Sequence, residues 1–233
     1  MKEYIKKTAL NALKENKEKF LYKKIPLIIL EPFKEEENRK ISILDVQSIL
    51  EKNIPLNYLR NIEGLYVGNF KALNKRNINS MYKDGVIYVS NLVTDEVDSL
   101  KIAKDIVHEI AHSLDDFNSI WDDQLISNEF LGKRKRLYQI LISNLSIKIP
   151  ENLFYEIDFD LKFDNLLYNV IGYRKLTPLI VNLFTSPYSI TSLDEYYANG
   201  FEEYNLGDKN GLKEICPILY KKIEFLCDQL KEN

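Results

Sequence analysis

Between residues 97 and 114 apolar side chains recur every three or four positions: Val97, Leu100, Ala103, Val107, Ile110 and Leu114. That spacing lays one stripe down an α-helix and requires the helix to bury it against a partner. Thr94 offers an N-cap, and Asp95 and Glu96 suit the positive end of the helix dipole. Both histidines of the chain fall inside this helix, in the stretch HEIAH at residues 108 to 112. Positions i and i+4 share a helix face, with Cβ atoms about 5–6 Å apart. His108 and His112 can therefore hold one Zn²⁺, at about 2.1 Å each. Glu109 is too near in sequence to be a third ligand. It is placed to take a proton from a metal-activated water attacking a peptide carbonyl, and to pass it to the leaving amine. The plain alternative is two surface histidines on a helix. A chain that uses histidine only twice, and both times here, favours the metal.

A catalytic zinc takes three protein ligands and keeps its fourth position for water. With no other histidine, the third must be a carboxylate or a cysteine. Cys216 and Cys227 fall in one expected helix, over 212–231. Their eleven-residue separation spans roughly 16 Å at about 1.5 Å per residue, against the roughly 7 Å that a disulfide allows. They read as small core hydrophobes. The acidic candidates are Glu195, Glu202 and Glu203. Glu195, Asn199 and Glu202 share one helix face, so spacing alone does not choose among them. Ser192 followed by Glu195 also fits a capping box.

The rest of the sequence sets the frame. A chain of 233 residues, 45 % apolar and 29 % charged, is long enough for a substantial core and is neither a disordered nor a membrane composition. The net charge of −3, with Lys and Arg spread throughout, argues against a nucleic-acid partner. No apolar run is long enough to span a membrane, and the charged N-terminal stretch does not resemble a secretory signal. The expectation is a chain that stays in the cytoplasm or is exported without such a signal. Oligomeric state is not readable.

Helices are expected over 2–20, 43–53, 132–145, 175–185 (with Pro178 near its start), 193–207 (ended by Gly207) and 212–231. Strands are expected over 25–31, 64–70 and 86–90, with a polar loop over 71–85 and a turn at Asp84-Gly85. The order gives an α+β fold: a small sheet first, then a mainly helical second half, as a single domain over 1–233. KRKR at 133–136 reads as a solvated helix face.

HEIAHSLDDF, Tyr188 and EYYANGFEEY together resemble the catalytic domain of the anthrax toxin lethal factor family, including the clostridial Pro-Pro endopeptidases. The likeness covers 86–116 and 183–231, about a third of the chain. It implies a zincin-like metallopeptidase: a small mixed sheet with the HExxH helix packed against it. In that family the Glu that opens E-[FY]-[FY]-A-x-x-F is the third zinc ligand. Here that Glu is Glu195, followed by Tyr196, Tyr197, Ala198 and Phe201. The family's Tyr seven positions earlier corresponds to Tyr188, whose hydroxyl would stabilise the developing oxyanion. The family commonly carries an acid four positions after the ligand; this chain has Asn199, and Asp115 or Asp116 could serve a zinc-bound histidine instead. Glu195 lies 83 positions after His112, more than in those relatives, so residues about 120–165 read as an insertion.

Such enzymes usually bind a peptide as an added strand along a sheet edge, for which 86–90 is the candidate. The expected function is a zinc-dependent endopeptidase. The alternative is an inactive zincin-fold module that recognises a protein partner, as a degenerate copy within the lethal factor family does.

Overall fold

The computed structural model describes residues 20–21, 24–33, 41–76, 78–92, 98–118, 123–145 and 148–232. The expected helix over 2–20 lies outside the described residues except at its last position, Phe20, which is in a strand; the Thr94–Glu96 cap and the side chains of Asp115 and Asp116 also lie outside them. The chain divides into two compact units, residues 1–114 and 115–233.

The first unit is built on a mixed sheet. Strands β1 (Phe20–Leu21), β2 (Ile25–Ile29), β3 (Gly64–Gly68), β4 (Ser80–Lys83) and β5 (Val86–Ser90) lie in the order β1-β2-β3-β5-β4. β2, β3 and β5 run parallel, while β1 and β4 are antiparallel to their neighbours. Parallel neighbours need a crossover. Helix α1 (Ile43–Asn53), capped by the Ser42 hydroxyl on the Asp45 amide, lies in the one between β2 and β3. At the β4–β5 hairpin, Asp84 (φ 54°) and Gly85 (φ 81°) are both left-handed. That is the turn Asp-Gly favours, because the primed turns match the twist of the strands.

The stretch 71–85 is not a loop. It holds helix α2 (Lys71–Arg76) and β4. Four residues, SMYK, are too few to show a strand's alternation in sequence. This overturns a second expectation. β5 pairs with β3 on one side and β4 on the other, so 86–90 has no free edge; among the described residues the strand at that edge of the sheet is β4.

Leu27, Leu65, Ile87, Val67 and Val89 occupy one register-matched face of the sheet and are nearly fully buried. Helix α3 (Ser99–Asn118) carries both histidines, and its Ile102, Ala103, Ile106, Val107, Ile110, Ala111 and Leu114 are each 3 % exposed or less. Fully burying an aliphatic side chain contributes about 1.5–3 kcal/mol, so this stripe fixes how the helix is rotated. Leu100 is not part of it and is 43 % exposed. The Asp98 carboxylate accepts from the Lys101 amide at 2.7 Å, which starts the helix at Ser99 and leaves Leu100 in the first turn, off the buried face.

The second unit is mostly helical: α4 (Gln124–Asn144), α5 (Leu161–Asn165), α6 (Tyr173–Ile180), α7 (Leu193–Leu206), α8 (Lys209–Ile215) and α9 (Pro217–Glu232). A helix expected over 212–231 is two, because Pro217 cannot donate the amide that would continue α8. Cys216 and Cys227 are nonetheless buried thiols, not bridged to each other. Phe130, Leu137, Leu141, Phe154 and Phe163, all from the stretch read as an insertion, are fully buried in this unit's core.

The solvated-face reading of KRKR holds only for its second half. Lys135 and Arg136 are exposed. Arg134 is 1 % exposed, and Lys133 donates to the carbonyls of Leu183 (2.7 Å) and Ile215 (2.5 Å). Charge in sequence marks these residues as solvent-seeking, yet backbone carbonyls supplied by the fold replace their water.

α7 packs closely on α9. A Cβ added at Gly200 would lie 2.5 Å from Leu219 Cδ2 and 3.1 Å from Ile223 Cδ1. Gly200→Ala is therefore expected to destabilise the protein by about 1–3 kcal/mol, the usual cost of overpacking, read from its denaturant midpoint. An unchanged midpoint would mean that Leu219 swings aside at no cost.

Candidate metal centre

In the first unit, one turn of α3 brings His108 and His112 together. Their Nε2 atoms face each other at 3.2 Å, with ring centroids 4.9 Å apart and planes inclined at 76°. A 3.2 Å separation is the chord that two Zn–N bonds of about 2.1 Å subtend at about 100°, close to a tetrahedral angle. Neither ring is fully exposed. The pair could hold one metal ion; without one, the same distance is a hydrogen bond between the two rings.

Glu109, between them, is 7 % exposed. Its Oε1 accepts from the Ser80 hydroxyl at 2.8 Å and its Oε2 from the Tyr82 amide at 2.6 Å. Ser90 donates its amide to the Asn79 carbonyl across the sheet, so residues 79, 81 and 83 turn their backbone groups toward β5. Ser80 and Tyr82 consequently face the free edge, and Glu109 is held against that edge. Neither Ser80 nor Tyr82 was legible as a site residue, since the strand that carries them was read as a loop.

The second unit holds Tyr188 and Glu195. Tyr188 opens a 3₁₀ turn (Tyr188–Ile190), and Glu195 lies in the first turn of α7. The Ser192 hydroxyl caps α7 by accepting from the Glu195 amide at 3.2 Å. The capping-box reading is thus right for the serine. The Glu195 carboxylate accepts the Tyr188 hydroxyl.

Burial raises the Tyr188 phenol well above its usual range, and the Glu195 charge and that hydrogen bond raise it further. Tyr188 is a firm proton donor at neutral pH. Tyr173 is raised for the same first reason, burial, with the charges of Asp164 and Glu195 adding to it. The sequence reading missed both Tyr173 and Asp164. They come from the stretch between the motifs, where no pattern singled them out.

Asn199 Oδ1 accepts from the Ser186 hydroxyl at 2.7 Å, and its Nδ2 donates to the Glu195 carbonyl at 2.8 Å. An amide here does what a carboxylate could not, since it both accepts and donates. Of the rival carboxylates, Glu203 accepts from the Asp208 amide at 2.7 Å, which commits it to the α7–α8 turn. Glu202 is buried on α7.

Compared with known proteins, the chain matches no family model, no curated protein and no solved structure.

Proposed function

We propose that the chain is a zinc-dependent endopeptidase in which His108, His112 and Glu195 hold the ion, Glu109 is the general base and Tyr188 stabilises the oxyanion. The observation that carries this reading is the pair of imidazole nitrogens converging at 3.2 Å on the helix that also holds a buried carboxylate. Glu195 supports it as third ligand: with His108 and His112 it makes up a group of side chains of the types that could hold a metal ion. The likeness of HEIAH and EYYANGFEEY to the lethal factor family supports it independently.

Bound by these ligands, a zinc ion supplies Lewis acidity toward water and toward a peptide carbonyl. The chain's own groups do the rest. Glu109 accepts the proton of the attacking water and delivers it to the leaving amine. Its two hydrogen bonds to β4 fix where the carboxylate sits, so little reorganisation is needed at the moment of transfer. The Tyr188 hydroxyl, a donor at neutral pH, would turn from Glu195 to the substrate oxygen as negative charge grows there. An extended peptide would add to the outer edge of β4 through backbone groups other than the Tyr82 amide, which Glu109 occupies.

The reading is tested with metal analysis and a random peptide pool. One zinc per purified chain and cleavage of the pool are expected, with kcat reduced about 10²–10³-fold in Tyr188→Phe, the usual cost of losing one oxyanion donor. Zinc without cleavage of any pool would shift the assignment to a partner-binding module. No zinc at all would end the metallopeptidase reading.

A further inference from the structure

Arg134 is a buried cation whose recorded hydrogen bonds all go to backbone carbonyls. Its Nε donates to Ile190 O at 2.9 Å, one terminal nitrogen to Thr191 O at 3.2 Å, and the other to Glu156 O. The guanidinium lies between the rings of Phe163 (4.1 Å) and Phe130 (4.8 Å). Burial pulls its pKa down to about 9, against the opposing charges of Glu156 and Asp160. Desolvating a cation for the sake of neutral acceptors costs stability. An arginine retained in such a place marks a geometric requirement that its planar fork can meet.

Two of the three carbonyls it gathers, those of Ile190 and Thr191, belong to the segment that joins Tyr188 to Glu195. Ile190 ends the turn opened by Tyr188, and Thr191 precedes the N-cap of α7. The Thr191 hydroxyl donates to the Tyr188 carbonyl at 2.8 Å, which ties that peptide into the same cluster. Lys133, the preceding residue on α4, pins Leu183 at the other end of the segment.

We infer that Lys133 and Arg134 are positioning residues: a basic frame, half-buried at Lys133 and buried at Arg134, that holds the 183–192 segment so that the Tyr188 hydroxyl and the Glu195 carboxylate keep their relative placement. This rests on the metal-ligand role proposed for Glu195. The frame acts through the backbone, and neither cation touches the ligand or the substrate.

Hydrogen exchange of the metal-free protein and zinc affinity by chelator competition test it separately, in Arg134→Lys, which keeps the charge without the fork, and Arg134→Met, which keeps the bulk without the charge. Amides of 188–195 are expected to exchange at least tenfold faster than in the wild type, with the rest of the second unit little changed. Zinc affinity should fall about tenfold or more, as when groups that orient a ligand are lost. A general loss of packing would instead speed exchange evenly across the unit, and that result overturns the frame. So does a folded variant with unchanged exchange at 188–195. Should Arg134→Met fail to fold, Arg134→Lys and Lys133→Met carry the same readout. A wild type without zinc affinity would remove the ligand role of Glu195, while the exchange data would still decide whether the frame exists.

Discussion

Glu109→Gln is expected to lower peptide hydrolysis by about 10²–10⁴-fold, the range over which a positioned general base contributes, while the purified protein keeps its full zinc content. Glutamine has the shape of glutamate. Its carbonyl oxygen can still accept the Tyr82 amide, and its NH₂ can donate to the Ser80 oxygen where the carboxylate accepted from the Ser80 hydroxyl. The anchoring to β4 therefore survives in outline, and the fold with it. What is lost is the ability to accept a proton. Hydrolysis rates at saturating peptide, compared with zinc content in the same preparations, make the check. Activity within tenfold of wild type would show that Glu109 serves only to fasten α3 to the sheet edge, as its two hydrogen bonds would by themselves suggest.

The second large effect concerns the metal. His112→Ala leaves one imidazole of a pair that converges at 3.2 Å, and the loss of bound zinc and of all hydrolysis is expected. The same site links metal to stability. A ligand that binds only the folded chain stabilises it by about 2.7 kcal/mol at a hundredfold excess over its Kd. Chelation should therefore lower the melting temperature of the wild type and leave that of His112→Ala unmoved. Glu195→Ala is expected to behave as His112→Ala does in both assays. If a chelator shifts neither the wild-type melting curve nor its activity, the two rings are a surface pair and nothing more.

The sequence alone determined what lies close along the chain. HEIAH on an amphipathic helix required the two imidazoles to meet, because one helical turn sets their separation whatever surrounds it. Asp84-Gly85 required a hairpin turn, and Ser192 capped its helix, for equally local reasons. The helix over 43–53 was legible to the residue, stopping before Pro55 as expected.

Tertiary structure decided what depends on partners far off in the chain. Strand order turned 86–90 from an edge into an interior strand and gave that edge to Ser80–Lys83, four residues too short to announce themselves. It set Glu109 against Ser80 and Tyr82, and it placed Asn199 on Ser186. It buried Arg134 and half-buried Lys133 out of a run whose composition says water, because carbonyls from residues 22 to 82 positions away took the place of that water. Local propensity is a property of neighbours in sequence. The solvation of a charge, and the freedom of a strand's edge, are fixed by whichever distant groups the folded chain brings to meet them.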